Sequence, residues 1–342
     1  MKLRQFTSII ILFLVGLAAC STDQHSASTS QHSAKNGLIA LGDFDSAGIV
    51  QIFTIASDGT QRTQLTKTAS GKNWMPAWSP DGRKIAYVYQ YPAGMQIRVM
   101  NFDGSDDHAL TSGDVSAVNM TPAWSPDGSM IAYTHNDASK GSRDLKIWVM
   151  HADGSSQKQI TQGDSNDYVP TWSPDGKKIA FFSNHETGLN AIWVMASDGS
   201  NLRVLTHAYH DARLGANIEQ KVPAWSPDGQ RIAYWSGVEA GDPRPNLPRD
   251  VWVMKADGTG QKKLVSGDDP AWAPDGRTIL LPACYRHGAL APLFPCSGQA
   301  GDTIAVAAIS PDGTNYRLLF VTNRTFARAS WQPIISTENA QS

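Results

Sequence analysis

The pentapeptide Trp-Ser-Pro-Asp-Gly begins at Trp78, Trp124, Trp172 and Trp225, returns as Trp-Ala-Pro-Asp-Gly at Trp272, and survives in degenerate form as Trp331-Gln332-Pro333. A motif recurring at intervals of tens of residues means one supersecondary unit repeated along the chain, each copy needing neighbours to bury its faces. Seven residues after the first five tryptophans stand Ile85, Ile131, Ile179, Ile232 and Ile279, and nine after stand Tyr87, Tyr133, Phe181, Tyr234 and Leu281. Apolar residues two apart are the signature of a strand, so each motif joins two strands.

A second marker, Asp-Gly, falls at Asp58, Asp103, Asp153, Asp198, Asp257 and Asp312. Three residues before it lies Ile or Met (Ile55, Met100, Met150, Met195, Met254, Ile309), and seven after lies Leu or Ile (Leu65, Leu110, Ile160, Leu205, Leu264, Leu319). Each unit therefore reads as strand a ending at Trp, a Ser-Pro-Asp-Gly turn, strand b, a variable loop, strand c, an Asp-Gly turn and strand d. Proline presets φ in such turns and glycine accepts φ > 0. The repeated aspartates are turn residues bonding their own backbone, and the Trp and Tyr repeats are core between units. Eleven Trp and 29 Gly agree with packed sheets joined by tight turns.

Four-stranded units of this length match propeller blades. The first unit has only strands b, c and d (38–41, 49–55, 64–66) and the last has only strand a (329–333). Joining the two completes a blade and removes the exposed sheet edges. The expected fold is all-β: a six-bladed β-propeller of four-stranded antiparallel blades over 37–333, its ring closed by the N-terminal strands pairing with the C-terminal one, followed by a tail at 334–342.

The Trp-Ser-Pro-Asp-Gly repeat, followed by Ile-Ala-Tyr and by Ile-Trp-Val-Met-x-Ala-Asp-Gly, resembles the propeller repeat of the TolB family. TolB also carries an α/β domain ahead of its propeller, for which the stretch after Cys20 leaves no room. The resemblance thus implies a TolB-like propeller and partner binding on it, without the dealings that TolB has with TolA through the missing domain.

Lys2 and Arg4 precede an apolar run from Ile9 to Ala19, shorter than the roughly 20 residues of a membrane span but suited to a secretory signal, here residues 1–19. Its end, Leu17-Ala18-Ala19-Cys20, resembles the bacterial lipobox, which implies lipidation at Cys20 and a protein anchored in the cell envelope. Ser21 at the next position suggests the outer membrane, facing the periplasm. Residues 21–36 contain no large apolar side chain and read, with Cys20, as a flexible tether. Lipidation of Cys20 leaves Cys284 and Cys296 in an oxidising compartment, where a disulfide is expected.

With 29 basic and 31 acidic residues the chain offers no basic surface for nucleic acid. It has no Gly-x-Ser-x-Gly elbow and no His-Glu-x-x-His, and Gly71-Lys72 lacks the upstream glycine of a phosphate loop. A binding module, monomeric and without a cofactor, is the expectation, with an envelope protein or peptide as partner. The alternative is a metal-dependent enzyme: His207, His210, Asp211 and His287 are of ligand type, and some TolB-like propeller relatives are oligogalacturonate lyases with a His-bound divalent metal. No complete ligand motif of those lyases is matched.

The three longest connections are 207–221, 237–249 and 282–302, all assigned to one face and to consecutive blades. Long loops on a rigid scaffold are where binding residues collect. The candidates are Tyr209, Arg213, Arg244, Arg249, Tyr285 and Arg286, residue types that dominate interface hot spots.

Overall fold

A computed structural model describes residues 37–113, 117–136, 144–238, 249–286, 289–290, 303–321 and 329–333. The signal, Cys20, the tether and the tail lie outside them. Among the described residues there are strands and turns and no helix.

The strands, in chain order, are β1 (Ile39–Phe44), β2 (Val50–Ile55), β3 (Thr63–Gln64), β4 (Lys72–Trp78), β5 (Lys84–Tyr91), β6 (Gly94–Asn101), β7 (His108–Ala109), β8 (Val118–Trp124), β9 (Met130–Asn136), β10 (Leu145–His151), β11 (Lys158–Gln159), β12 (Asp167–Trp172), β13 (Lys178–Ser183), β14 (Ala191–Ala196) and β15 (Arg203–Val204). They continue with β16 (Tyr209–Asp211), β17 (Ala216–Trp225), β18 (Arg231–Val238), β19 (Arg249–Lys255), β20 (Lys262–Ser266), β21 (Ala271–Trp272), β22 (Ile279–Arg286), β23 (Ala289–Leu290), β24 (Thr303–Ile309), β25 (Arg317–Val321) and β26 (Ser330–Trp331).

This is an all-β propeller of antiparallel sheets. Hydrogen bonding gathers the strands into five sheets where the sequence predicts six separate ones. One of the five is eight-stranded, because a single parallel pair, Met95 with Val118, joins the set β4–β7 to the set β8–β11. Two sheets also gain a fifth strand, β16 and β23. The first and last strands meet as predicted: Ile39 pairs with Trp331 and Ala40 with Ser330, and Gln332 N donates to Leu38 O at 2.7 Å. The inner strands β4, β8, β12, β17, β21 and β26 lie side by side in that order, and β26 returns to β4.

Four inner strands, β4, β8, β12 and β17, reach their tryptophans through a bulge. Met75, Thr121, Val169, Val222 and Asp269 all have left-handed φ, between 42° and 56°, and each precedes a proline. Proline cannot donate to a ladder, so the strand accommodates it by inserting an extra residue, seen as register shifts between Trp74 and Ala77, Met120 and Ala123, Tyr168 and Thr171, and Lys221 and Ala224. Non-glycine residues in this region cost about 1–3 kcal/mol each, which the packed neighbours on both sides must offset.

The turns behave as their sequence demands. Asp153 Oδ1 accepts the Ser155 N–H at 2.9 Å, and the same bond recurs at Asp58, Asp103, Asp198, Asp257 and Asp312. The glycine that follows allows close approach to the preceding repeat: a Cβ at Gly199 would lie 2.5 Å from the Ile160 carbonyl oxygen. Between sheets the core is formed by Tyr87, Tyr133, Phe181, Tyr234 and the isoleucines at the expected offsets, all almost fully buried.

Candidate functional site

The segment 207–221, predicted as a loop, is largely a hairpin. β16 pairs with the first half of β17, Tyr209 opposite Ile218 and Asp211 opposite Ala216, and Ile218 in turn pairs with Val238 at the end of β18. Asp211 Oδ1 closes the turn by accepting the N–H groups of Arg213 at 2.9 Å and Leu214 at 3.3 Å. A small apolar cluster of Ala216, Ile218, Val238 and Leu214 supports it. The hairpin is thus an ordered extension of a sheet and not a slack insertion.

It presents two of the predicted binding residues. Tyr209 is 54% exposed, and the Arg213 side chain is 92% exposed, within 3.6 Å of Asp211. Arg249 departs from expectation. Its side chain is only 15% exposed, NH1 stands 3.7 Å from Asp268 Oδ2, Nε donates to Val238 O, and the guanidinium lies 5.6 Å from the Trp235 ring centre. It ties its own sheet to the connection that follows β20, since a carboxylate 19 residues on, invisible as a partner in the sequence, has been brought against it. Burial and the adjacent Asp269 hold the Asp268 carboxyl well above the usual carboxylate range, with Arg249 opposing. Arg244 lies outside the described residues, as do the side chains of Tyr285 and Arg286.

Of the candidate metal ligands, His207, His210 and Asp211 lie among the described residues, each beside a neighbour of its own. His207 Nδ1 is 3.4 Å from Glu186 Oε2, His210 Nδ1 is 3.0 Å from Asn217 Oδ1, and Asp211 serves its turn. Among the described residues no group of three or more His, Cys, Asp or Glu is placed to hold a metal ion. His287 and Cys296 lie outside the described residues, as does the Cys284 side chain.

Sequence reasoning missed a second feature, a cavity of about 480 Å³ where inner strands end, lined among others by Thr171, Trp225, Asp269, Trp272, Ser330 and Trp331. The signal was present in the prolines that rim it, Pro227, Pro274 and Pro333, but those read simply as turn residues.

Residues 51–335 match the family model described as the TolB beta propeller domain. The chain is 29% identical over 209 residues to the uncharacterized protein Atu1656 of Agrobacterium fabrum, covering 59% of this chain and 67% of that one. Its fold is similar to the crystal structure of TolB from Acinetobacter baumannii, with a TM-score of 0.66, 20% identity, and coverage of 87% of this chain and 67% of that one. An oligogalacturonate lyase in complex with manganese is also similar, with a TM-score of 0.54, 14% identity, and coverage of 80% and 71%. At such identities the structural likenesses show the fold alone.

Proposed function

Because the chain belongs to the family of the TolB beta propeller domain, we propose that it is a protein-binding propeller scaffold of the bacterial cell envelope. The observation that carries this reading is the β16–β17 hairpin, which holds Tyr209 and Arg213 out to solvent on a five-stranded base. An aromatic and an arginine on rigid backbone lose little entropy on binding, and such pairs anchor interfaces. Arg244, Tyr285 and Arg286 are proposed to bind the partner as well, while Arg249 packs against Asp268 and Trp235. The partner is an envelope protein or peptide, and the scaffold acts as a monomer without a cofactor.

The ring has six blades. Support for the count comes from the cycle of inner strands β4, β8, β12, β17, β21 and β26, and from the single residue pair at which the eight-stranded sheet divides. Cys20 carries the lipid anchor on the outer membrane, on the strength of the signal-like segment 1–19, and Cys284 and Cys296 form a disulfide. A lyase reading has less support, resting on fold likeness at 14% identity.

The test is capture of cross-linked partners from envelope extract by the full chain and by Y209A/R213A. Loss of one specific partner in the variant supports the reading, and an unchanged capture profile overturns the assignment of this sector. Detergent partitioning of Cys20→Ala, expected to move to the aqueous phase, and the absence of free thiols at Cys284 and Cys296 in unreduced protein check the remainder.

A further inference from the structure

The repeats supply an internal control for one another in how their outer strands end. Eight residues beyond the Asp-Gly aspartate, four repeats carry a buried threonine: Thr66, Thr111, Thr161 and Thr206. Its hydroxyl accepts an N–H of the third strand, from Ile52 at 2.9 Å, Ile97 at 2.9 Å, Ile147 at 3.0 Å and Ile192 at 2.9 Å in turn. A hydroxyl that takes this N–H displaces the carbonyl that would continue the ladder. The outer strands concerned, β3, β7, β11 and β15, are each two residues long.

In the remaining two repeats that place is held by Val265 and Phe320, whose side chains accept nothing. Val251 and Val306, the counterparts of those isoleucines, stand opposite them in register, and β20 and β25 run on to five residues each. Each is the last strand of its sheet on the outer side. A long edge strand is a template for any extended chain, and native proteins blunt such edges with charge, lysine above all. β20 is blunted in this way. Its Lys263 Nζ stands 2.7 Å from Asp250 Oδ2, and its Lys262 Nζ donates to Asp312 O at 2.8 Å. β25 reads Arg317-Leu318-Leu319-Phe320-Val321, has no charge beyond Arg317, and leaves Val321 43% exposed. Both strands skip one leucine in register, Leu264 and Leu319, so the bulge is common to them and the lysines are what set them apart.

We propose that the outer edge of β25 takes up an extended segment of a protein partner as an added antiparallel strand, apolar at alternate positions and acidic at its C-terminal end. Main-chain hydrogen bonds to an edge supply affinity in this mode, and alternate side chains supply selectivity. The acidic end meets Arg317, which is exposed at the head of β25. A second copy of this chain is the poorer occupant. Self-pairing of five residues between two rigid rings buries far less than the roughly 1,000 Å² of a lasting interface, whereas a peptide can follow the strand closely. The surface is a second one, beyond the scaffold reading, and uses none of the hairpin's residues.

The probe is a blocked, fluorescently labelled peptide, Thr-Val-Thr-Val-Thr-Glu, titrated into the full chain, with deuterium exchange reading the amides of 317–321. Saturable binding that slows exchange across that strand is expected. Val321→Lys puts a charge at a position already in solvent and should weaken binding tenfold or more. Phe320→Thr restores the residue of the other four repeats and should also lose the probe; should it fail to fold, Val321→Lys still decides. A probe methylated at every second amide nitrogen keeps its side chains but loses the pairing, and should not bind. Y209A/R213A should bind the probe as the parent does, so failure at β25 and failure of the hairpin reading are told apart. Unchanged exchange over 317–321, or equal binding of the methylated probe, would overturn the proposal. So would sedimentation showing a dimer of the parent that Val321→Lys dissolves, which would give the edge to a second copy.

Discussion

The indole N–H of Trp272 donates to the main-chain oxygen of Ala224 at 3.1 Å, tying the inner strand of one repeat to that of the repeat before it. Trp124 makes the same bond to Ala77, and Trp172 to Ala123. At the equivalent position Trp78, Trp225 and Trp331 are as buried as Trp272, yet among the described residues their indole N–H groups have no partner. One sequence position therefore sits in two energetic situations. Trp272→Phe loses packing and leaves a carbonyl without its donor, while Trp225→Phe loses packing and sheds an unmet donor. The first is expected to be about 1–2 kcal/mol more destabilising than the second, read from urea midpoints. Equal losses would mean that the cross-strand bond contributes nothing.

Glycines at nearly the same φ offer a second comparison. Gly199 and Gly163 have φ of 93° and 92°, but a Cβ at Gly199 would meet the Ile160 carbonyl oxygen at 2.5 Å, whereas one at Gly163 would meet nothing within 4 Å. Gly163→Ala carries only the left-handed penalty, about 1 kcal/mol. Gly199→Ala must also push two repeats apart and is expected to cost about 3 kcal/mol or more. Thermal unfolding of the two variants side by side separates backbone strain from packing.

What the sequence discloses and what it hides follow from range. The ends of β4, β8, β12 and β17 at their tryptophans are legible because Ser-Pro-Asp-Gly sets its own turn over a few bonds. The ring-closing partnership of Ile39 with Trp331 is legible because an incomplete first repeat and an incomplete last one fit each other. The left-handed Met75 and Val169 are not, since proline alone does not say that a strand will bulge rather than end. The hairpin at Tyr209 escapes notice because Tyr-His-Asp has no alternation to read. Val265 and Phe320 are plain in the sequence, but their meaning depends on a threonine-to-main-chain bond seen only in the folded neighbours.

Acid sensitivity should trace to the turns. At Asp198 the Ser200 hydroxyl, at 2.7 Å, and the Ser200 N–H donate to Oδ1 and hold the carboxyl below the ordinary aspartate range; Asp153 and Asp312 are held down in the same way. A carboxyl whose pKa is lower folded than unfolded binds fewer protons in the folded state between the two values. Its stabilisation is complete above about pH 4 and withdraws as pH falls through the folded value. Asp198→Asn keeps an acceptor but cannot titrate, so its stability deficit relative to the parent should be largest near neutrality and close as pH falls through the folded value. Chemical denaturation at a series of pH values gives the answer, and a deficit independent of pH would assign the loss to turn geometry instead.

Two arginines that look alike in the sequence should separate in the laboratory. Arg213 is 92% exposed on the hairpin, and replacing it by Ala should leave stability within about 0.5 kcal/mol while partner capture falls. Arg249 is 15% exposed and is the cation that opposes the upward shift of Asp268. Arg249→Ala strands that carboxylate in a buried site and is expected to cost about 2–4 kcal/mol. The pH dependence identifies the cause. An acid with a raised folded pKa favours the folded state while protonated and withdraws that support as pH rises through the folded value, so the Arg249→Ala deficit should widen from acid to alkaline conditions. Capture by Arg249→Ala, measured on the folded fraction, should stay near that of the parent, because the side chain faces Asp268 and Trp235 rather than a partner. If Arg213→Ala instead lowers stability and leaves capture intact, the hairpin is a structural flap and binding belongs elsewhere on the propeller, the 480 Å³ cavity beside Trp225 and Trp331 being the next place to probe.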